Sequence, residues 1–171
     1  MEEQLSGFCT VEIAVFNEFS GFITDTKIQK QYDHVIFDTA PTGHTLLLLE
    51  STESYDKEIR RTKGETPESV KKLLPRLRSE ETEVIIVTLP EATPVYEALR
   101  LEDDLKRAQI TAGWWVINQS FYQTGTSNAF LKAKASHEAE WINRVGAHTD
   151  GCFVLIPWKA DRVKGDKLLD L

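Results

Sequence analysis

Two side chains could carry chemistry because each follows an apolar run with the composition of a buried strand. Asp38 ends the run 34–37, and nucleotide hydrolases place a carboxylate at such a position to hold the water shell of a Mg²⁺ ion. An Asp there also caps the following turn in many α/β proteins. Asn118 follows the run 114–117 and could either bind a ligand or cap a turn through its amide. The residues alone leave both interpretations open.

The composition limits the classes of protein to which the chain can belong. Its 171 residues suit one domain of ordinary size, which predicts a single domain over 1–171. The net charge of −7, from 20 Lys and Arg against 27 Asp and Glu, disfavours nucleic acid as a partner. The apolar runs are too short to span a bilayer, and the two cysteines suit a reducing cytosol.

Strands and helices are expected to alternate along the chain. Runs rich in β-branched and aromatic residues predict buried strands at 34–37, 84–89, 114–117 and 153–156. Helical spacing lies between them, at 10–23, 67–78, 93–108 and 128–145. Thr93 is the expected N-cap of the third helix, and Pro75 is expected to kink or end the second. This order favours an α/β fold with a mostly parallel sheet and helices on both faces.

Ligands of such folds bind beyond the carboxyl ends of the strands. Four loops are therefore expected to share one edge of the sheet: 38–44, 90–93, 118–120 and 157–159. Cys152 opens a predicted strand and is expected to be a packed core thiol. Trp158 is expected to be an aromatic at the edge and the other tryptophans to pack, so none of them is assigned a role.

The string from Asp38 to Thr45, Asp-Thr-Ala-Pro-Thr-Gly-His-Thr, resembles the arsenical pump-driving, or arsenite-transporting, ATPases. The same string occurs in related ATPases that target tail-anchored membrane proteins. Further blocks resemble the arsenical family in the same order along the chain: Cys9–Phe16, Val87–Val95, Ile117–Ser120 and Pro157–Asp161. The resemblance implies a P-loop NTPase-like fold.

The phosphate-binding loop of that fold, G-x-x-x-x-G-K-[S/T], is absent from the sequence, because none of the nine glycines is followed by lysine. In the family this loop, with its strand and helix, precedes the block that begins near Cys9. The chain therefore resembles the C-terminal part of one ATPase half, and which half stays open. Since the missing strand would lie beside the strand that ends at Asp38, we expect the chain to self-associate or to need a partner that supplies it.

The resemblance implies roles for particular residues. Asp38 would be catalytic, holding the attacking water or the water shell of Mg²⁺, within a switch over 38–45 that senses the γ-phosphate. Asn118 would read the adenine and Pro157 would form part of the wall beside the base. The resemblance also implies that four residues of the switch contact the nucleotide: Thr39, Pro41, Thr42 and Gly43.

A second implied site binds metalloid through Cys9 and His44. Trivalent arsenic and antimony are thiophilic, so a thiolate with an imidazole suits them. The family has a further cysteine between the switch and the next strand, but 49–83 contains none. This chain would therefore supply only part of the metalloid site.

These features predict an ATPase subunit, or a fragment of one, that couples MgATP hydrolysis and arsenite or antimonite binding to export. The implied partners are an integral-membrane efflux carrier, a second ATPase half or another copy, and a metallochaperone. The implied location is cytoplasmic, on the inner face of the plasma membrane when the carrier is bound. Two alternatives remain: a non-catalytic truncated module, and a tail-anchored-protein targeting ATPase. The second is disfavoured because the only methionine is Met1 and no C-x-x-C is present.

Overall fold

A computed structural model of the chain describes residues 18–38 and 68–160. The described residues fall into two compact units. The first contains 18–38, 68–82 and 108–110, and the second contains 83–107 and 111–160. None of the helices in these ranges is long and apolar enough to cross a membrane. The expectation of a single domain over 1–171 stays a prediction.

The first unit is helical. Residues 18–24 form helix, and α1 (Thr26–Gln31) follows an N-cap at Asp25, whose carboxylate accepts a hydrogen bond from the Lys27 N–H at 2.8 Å. Helix α2 (Glu68–Leu77) contains Pro75 close to its end. Ile23 and Leu73 are the buried centre of this unit, with Phe19 and Leu77 packed against them. The predicted helix 10–23 is thus present in its described part.

The predicted strand at 34–37 is wrong. This stretch pairs with no strand among the described residues, and Ile36 is 91% exposed. Phe37 instead lies edge-on against Phe19, with ring centroids 5.5 Å apart. The physical reason is that β-branched residues favour a pleated, partly buried surface but do not create one, so the stretch needs a neighbouring strand to form its ladder.

The second unit contains a parallel sheet of three strands: β1 (Val84–Thr88), β2 (Ala112–Ser120) and β3 (Phe153–Pro157), in the order β1-β2-β3. The register places Ile86 beside Trp115 and Ile117 beside Leu155. These are the three later predicted strands, with β2 longer than expected at both ends. The α/β class with a parallel sheet is therefore confirmed.

Two helices connect the strands: α3 (Ala92–Arg107) and α4 (Ala129–His148). Helix α4 confirms the helix predicted over 128–145 and ends three residues later. It begins after Asn128, whose side chain accepts hydrogen bonds from the Phe130 and Leu131 N–H groups. Helix α3 begins at Ala92 rather than after Thr93. Pro94 tolerates this because first-turn N–H groups have no intrahelical partner, so its missing donor costs no helical bond.

Both connecting helices cover the same face of the sheet, as two right-handed crossovers in one direction require. In the described residues of the second unit, the predicted helices on both faces are thus found on one face only. Buried side chains on that face come from all of these elements, namely Ile86, Trp115, Ile117, Val95, Ala98, Leu105, Ile142 and Val145. Alternate side chains point the other way. That second face carries the most exposed apolar groups of the strands, Ile85, Val87, Trp114 and Val154.

Candidate functional site

Three chain segments meet where the strands of the second unit end. Pro90 and Glu91 follow β1, Phe121 and Tyr122 follow β2, and Trp158 follows β3. The Trp158 N–H donates to the Ser120 carbonyl at 2.8 Å, which ties the last two segments together. We call this edge, residues 89–91, 118–122 and 157–158, the rim. Three of the four loops predicted to share one edge therefore do so.

The fourth predicted loop, 38–44, is not described beyond its first residue. Asp38 is exposed and belongs to the first unit. Cys9 and the other predicted site residues of the switch lie outside the described residues: Thr39, Pro41, Thr42, Gly43 and His44. Their predicted roles stay predictions.

A β-bulge shapes the middle of the rim. Ile117 lies beside Leu155 and Ser120 beside Pro157, so Asn118 and Gln119 together face a single residue of β3. Gln119 has φ +57°, a left-handed conformation that costs a non-glycine residue about 1–3 kcal/mol and is found preferentially at functional sites. Predicted site residues Asn118 and Pro157 therefore lie at one edge.

Asn118 caps the bulge. Its Oδ1 accepts a hydrogen bond from the Gln119 N–H at 2.9 Å. This is the contact that the turn-capping interpretation predicts, and it uses only the oxygen of the amide. The Nδ2 donors take no part in that bond, so capping the turn and binding a ligand are compatible functions of one side chain.

A buried carboxylate holds the segment that follows β2. Glu138 of α4 is 2% exposed. Its Oε2 accepts three hydrogen bonds, from the Ser120 hydroxyl at 2.9 Å, the Phe121 N–H at 2.8 Å and the Tyr122 N–H at 3.2 Å. Its Oε1 is also buried but has no hydrogen-bond partner among the described residues.

Aromatic side chains form the front of the rim. The Phe121 and Trp158 rings stack, with centroids 5.3 Å apart and planes at 26°. The Lys134 ammonium lies 5.3 Å from the Phe121 centroid and 3.0 Å from a carboxylate oxygen of Glu91. Both side chains of that ion pair are about half exposed, so it stabilises the fold by about 0–1 kcal/mol at most.

These groups line a cavity of about 210 Å³, together with Leu89, Pro90, Gln119 and Glu138. A neighbouring open groove of about 450 Å³ shares Pro90, Glu91, Lys134 and Glu138 and continues along α4 to Phe130, His137 and Trp141. Sites for whole small molecules usually measure about 300–1,000 Å³. The smaller cavity therefore suits a flat ring as part of a larger ligand.

A metal ion has no complete site in the part of the chain that the structure describes. No group of three or more His, Cys, Asp or Glu side chains in 18–38 and 68–160 could hold one. The exposed Asp38 carboxylate by itself does not make a Mg²⁺ site. Cys152 is exposed rather than packed as predicted, because it lies in the turn between α4 and β3 instead of inside the strand.

A second buried glutamate lies on α3, towards the amino ends of the strands. Glu102 accepts hydrogen bonds from the Trp115 indole at 3.1 Å, the Lys106 ammonium at 2.6 Å and His148 Nε2 at 2.7 Å. Burial alone would raise its pKa. The hydrogen bonds from Lys106, His148 and Trp115 outweigh burial and lower the pKa of Glu102 to about 2.

Sequence reasoning missed Glu138, Phe121 and Lys134. One signal could have found Glu138, since it shares the buried stripe of α4 with Ile142 and Val145 at helical spacing. A carboxylate on such a stripe must have hydrogen-bond partners. No comparable signal marks Phe121, which follows the strand as one aromatic among several.

Comparison with known proteins gives one consistent result. The family model of the anion-transporting ATPases matches residues 1–78 and 61–170. The whole chain is 41% identical to an arsenical pump-driving ATPase of Escherichia coli and 39% identical to one of Acidiphilium multivorum. It is 22% identical to ATPase GET3C of Arabidopsis thaliana over 81% of this chain and 44% of that protein.

The chain spans about 29% of the length of the arsenical relatives that it matches. Two findings nevertheless agree on its ancestry, because the family model covers nearly every residue and the fold has the parallel sheet expected from the resemblance. The chain belongs to the family of the anion-transporting ATPases.

Proposed function

We propose that this chain forms part of the nucleotide site of an arsenite- or antimonite-stimulated ATPase that drives metalloid export. The observation that carries the proposal is the rim, where a bulge, an aromatic stack and a cavity of about 210 Å³ meet at the carboxyl ends of the strands. Open α/β sheets bind their ligands at this edge. Relatives at 39–41% identity are named arsenical pump-driving ATPases.

The rim receives the base of the nucleotide. Asn118 and Pro157 do not line the cavity, but each precedes a residue that does, Gln119 and Trp158. From there Asn118 offers its Nδ2 donors to an acceptor nitrogen of adenine, and Pro157 forms part of the wall beside the ring. Trp158 and Phe121 add the aromatic surface that base stacking requires, worth about 1–3 kcal/mol per base in nucleic-acid complexes. The cavity has the size of a ring rather than of a whole nucleotide, so the phosphates extend away from it.

The phosphates meet the switch over 38–45. Thr39, Pro41, Thr42 and Gly43 contact the nucleotide, and Asp38 orients the water that attacks the γ-phosphate. Mg²⁺, when bound, neutralises charge on the phosphate oxygens. Cys9 and His44 contribute to a metalloid site whose occupation biases the switch, so that arsenite or antimonite is both effector and transported ion.

The partners are an integral-membrane efflux carrier and a second ATPase half or copy of this chain, with a metallochaperone as a further donor of metalloid. One observation supports a second ATPase half or copy: the exposed apolar groups Ile85, Val87, Trp114 and Val154 lie on one face of the sheet. The protein works in the cytoplasm, at the inner face of the membrane that holds the carrier.

A MgATP titration of the purified chain tests the proposal. We expect tryptophan fluorescence and calorimetry to agree on a Kd tighter than about 100 µM, or roughly −5.5 kcal/mol. Replacing Asn118 by Ala should weaken binding about tenfold, since it removes one hydrogen-bonding contact with the base. Asn143→Ala is the matched control, because Asn143 is an exposed residue of α4 away from the rim.

Two results would contradict the proposal. Equal weakening by both Asn variants would remove Asn118 from the site. Absence of binding by either method would favour a module without a nucleotide site of its own.

A further inference from the structure

We propose that Glu138 is the positioning residue of the rim: its carboxylate fixes the segment 120–122 so that the Phe121–Trp158 stack is presented to the base. This inference rests on the proposed nucleotide site. It assigns a role to a residue of α4 that lies outside every predicted motif, and it makes the helix an active part of the rim.

Glu138 accepts hydrogen bonds from N–H groups that have no partner in the ladder of the sheet. Phe121 and Tyr122 follow the last residue of β2, so their N–H groups have left the ladder. Buried or partly buried N–H groups require partners, and Glu138 Oε2 accepts from both, sharing the Tyr122 N–H with Ser120 Oγ at 3.1 Å. One carboxylate oxygen thus holds two successive N–H groups of the turn.

Both aromatic rings depend on this clamp. Phe121 is held through its own N–H. Trp158 is held one step further away, because its N–H donates to the carbonyl of Ser120, whose hydroxyl donates to Glu138. One turn earlier on α4, Lys134 contacts the Phe121 ring. Helix α4 thus fixes the backbone of Phe121 with one side chain and its ring with another.

The direction of the hydrogen bonds ties Glu138 to the rim. Its Oε2 accepts from one hydroxyl and two backbone N–H groups, and all three donors belong to the segment 120–122. Glu138 also lines the cavity proposed for the base.

The test uses the full chain with two substitutions of Glu138. Glu138→Leu removes the acceptor, whereas Glu138→Gln keeps one carbonyl oxygen for the same donors. Glu140→Gln is the matched control, because Glu140 is an exposed residue on the same helix. The readouts are hydrogen exchange at the Phe121 and Tyr122 amides and MgATP affinity by calorimetry.

We expect Glu138→Leu to speed exchange at the two amides about tenfold or more and to weaken MgATP binding about tenfold. In Glu138→Gln, the exchange rates and the MgATP affinity should stay within about threefold of those of the unchanged chain. Glu140→Gln should change neither the exchange rates nor the affinity. Should the Leu variant fail to fold by circular dichroism, Ser120→Ala provides a milder test. It removes the hydroxyl that donates to Glu138 and also accepts from the Tyr122 N–H, so the informative readout is the Phe121 amide, where exchange should rise about threefold.

The outcomes separate this inference from the proposed function. Unchanged exchange in Glu138→Leu would overturn the clamp, and faster exchange with unchanged MgATP affinity would overturn its role towards the base. If the unchanged chain bound no MgATP, the nucleotide site would fail and the role towards the base with it. If exchange at Phe121 and Tyr122 were still faster in Glu138→Leu, the clamp would be confirmed and only the proposed nucleotide site would be wrong.

Discussion

Glu102 and Glu138 are the two buried glutamates among the described residues, and the protein uses them in opposite ways. Glu102 gives both oxygens to three donor side chains, two of which are basic. Glu138 gives one oxygen to a hydroxyl and two backbone N–H groups, and its other oxygen has no partner among the residues that the structure describes. The first arrangement compensates a charge, and the second fixes the path of a loop.

The two sites also lie at different ends of the sheet. Glu102 meets His148, the last residue of α4, towards the amino ends of the strands, whereas Glu138 meets the segment after β2 at the rim. In parallel α/β folds the amino ends contribute stability and the carboxyl ends carry the site. Glu102, which accepts from three donor side chains at one end, and Glu138, which accepts from the segment after β2 at the other, follow that division.

Glu102→Ala should have the largest effect on stability. It leaves the Trp115 indole without its partner and opens a cavity under α3, so we expect a loss of about 3 kcal/mol in the free energy of unfolding. Urea denaturation measures the loss. Asp103→Ala, at the exposed neighbouring position, should change stability by less than about 0.5 kcal/mol. Equal losses in the two variants would show that the hydrogen bonds of Glu102 do not stabilise the amino ends of the strands.

Acid should unfold the protein partly through the same carboxylate. The pKa of Glu102 falls from 4.5 to about 2 on folding, so its contribution is complete above pH 4.5 and disappears as the pH falls towards 2. The difference corresponds to about 3 kcal/mol. Urea midpoints should therefore drop steeply across this window. Glu102→Gln should flatten the drop, while Glu140→Gln should leave it in place. An unaltered slope in Glu102→Gln would assign the acid sensitivity elsewhere.

The rim should respond in binding rather than in stability. Phe121→Ala removes one ring of the stack, and we expect MgATP affinity to fall about tenfold, or 1.4 kcal/mol, because a stacking surface for the base is lost. Phe22→Ala is the control, since Phe22 is also an aromatic residue, is 54% exposed and lies in the first unit, outside the rim. Calorimetry with MgATP distinguishes the two. The same affinity in both variants would place the base away from Phe121.

Local patterns made much of the fold predictable. The three paired strands and the helix over 128–145 depend on residues close in sequence, so periodicity identifies them. The stretch 34–37 has the same composition and is not a strand, because composition cannot supply a neighbouring ladder.

The site was less predictable than the fold. Asn118 and Pro157 share an edge because parallel register requires it. Glu138 is different, since its partners lie 16 to 18 residues away and only the crossover of α4 brings them together. The β-bulge at Asn118 and Gln119 also depends on pairing with β3, which no local pattern in β2 reveals.

Lys134→Met should have the smallest effect, and it sharpens the difference between the two ends. Lys134 pairs with Glu91 at 3.0 Å with both side chains about half exposed, so we expect a stability loss of about 0.5 kcal/mol that disappears in 1 M salt. The methionine keeps an apolar contact with the Phe121 ring. Urea denaturation at two salt concentrations measures this. A loss near that of Glu102→Ala would mean that charge pairing stabilises the rim as strongly as the opposite end, and the contrast between compensated charge and loop fixation would no longer hold.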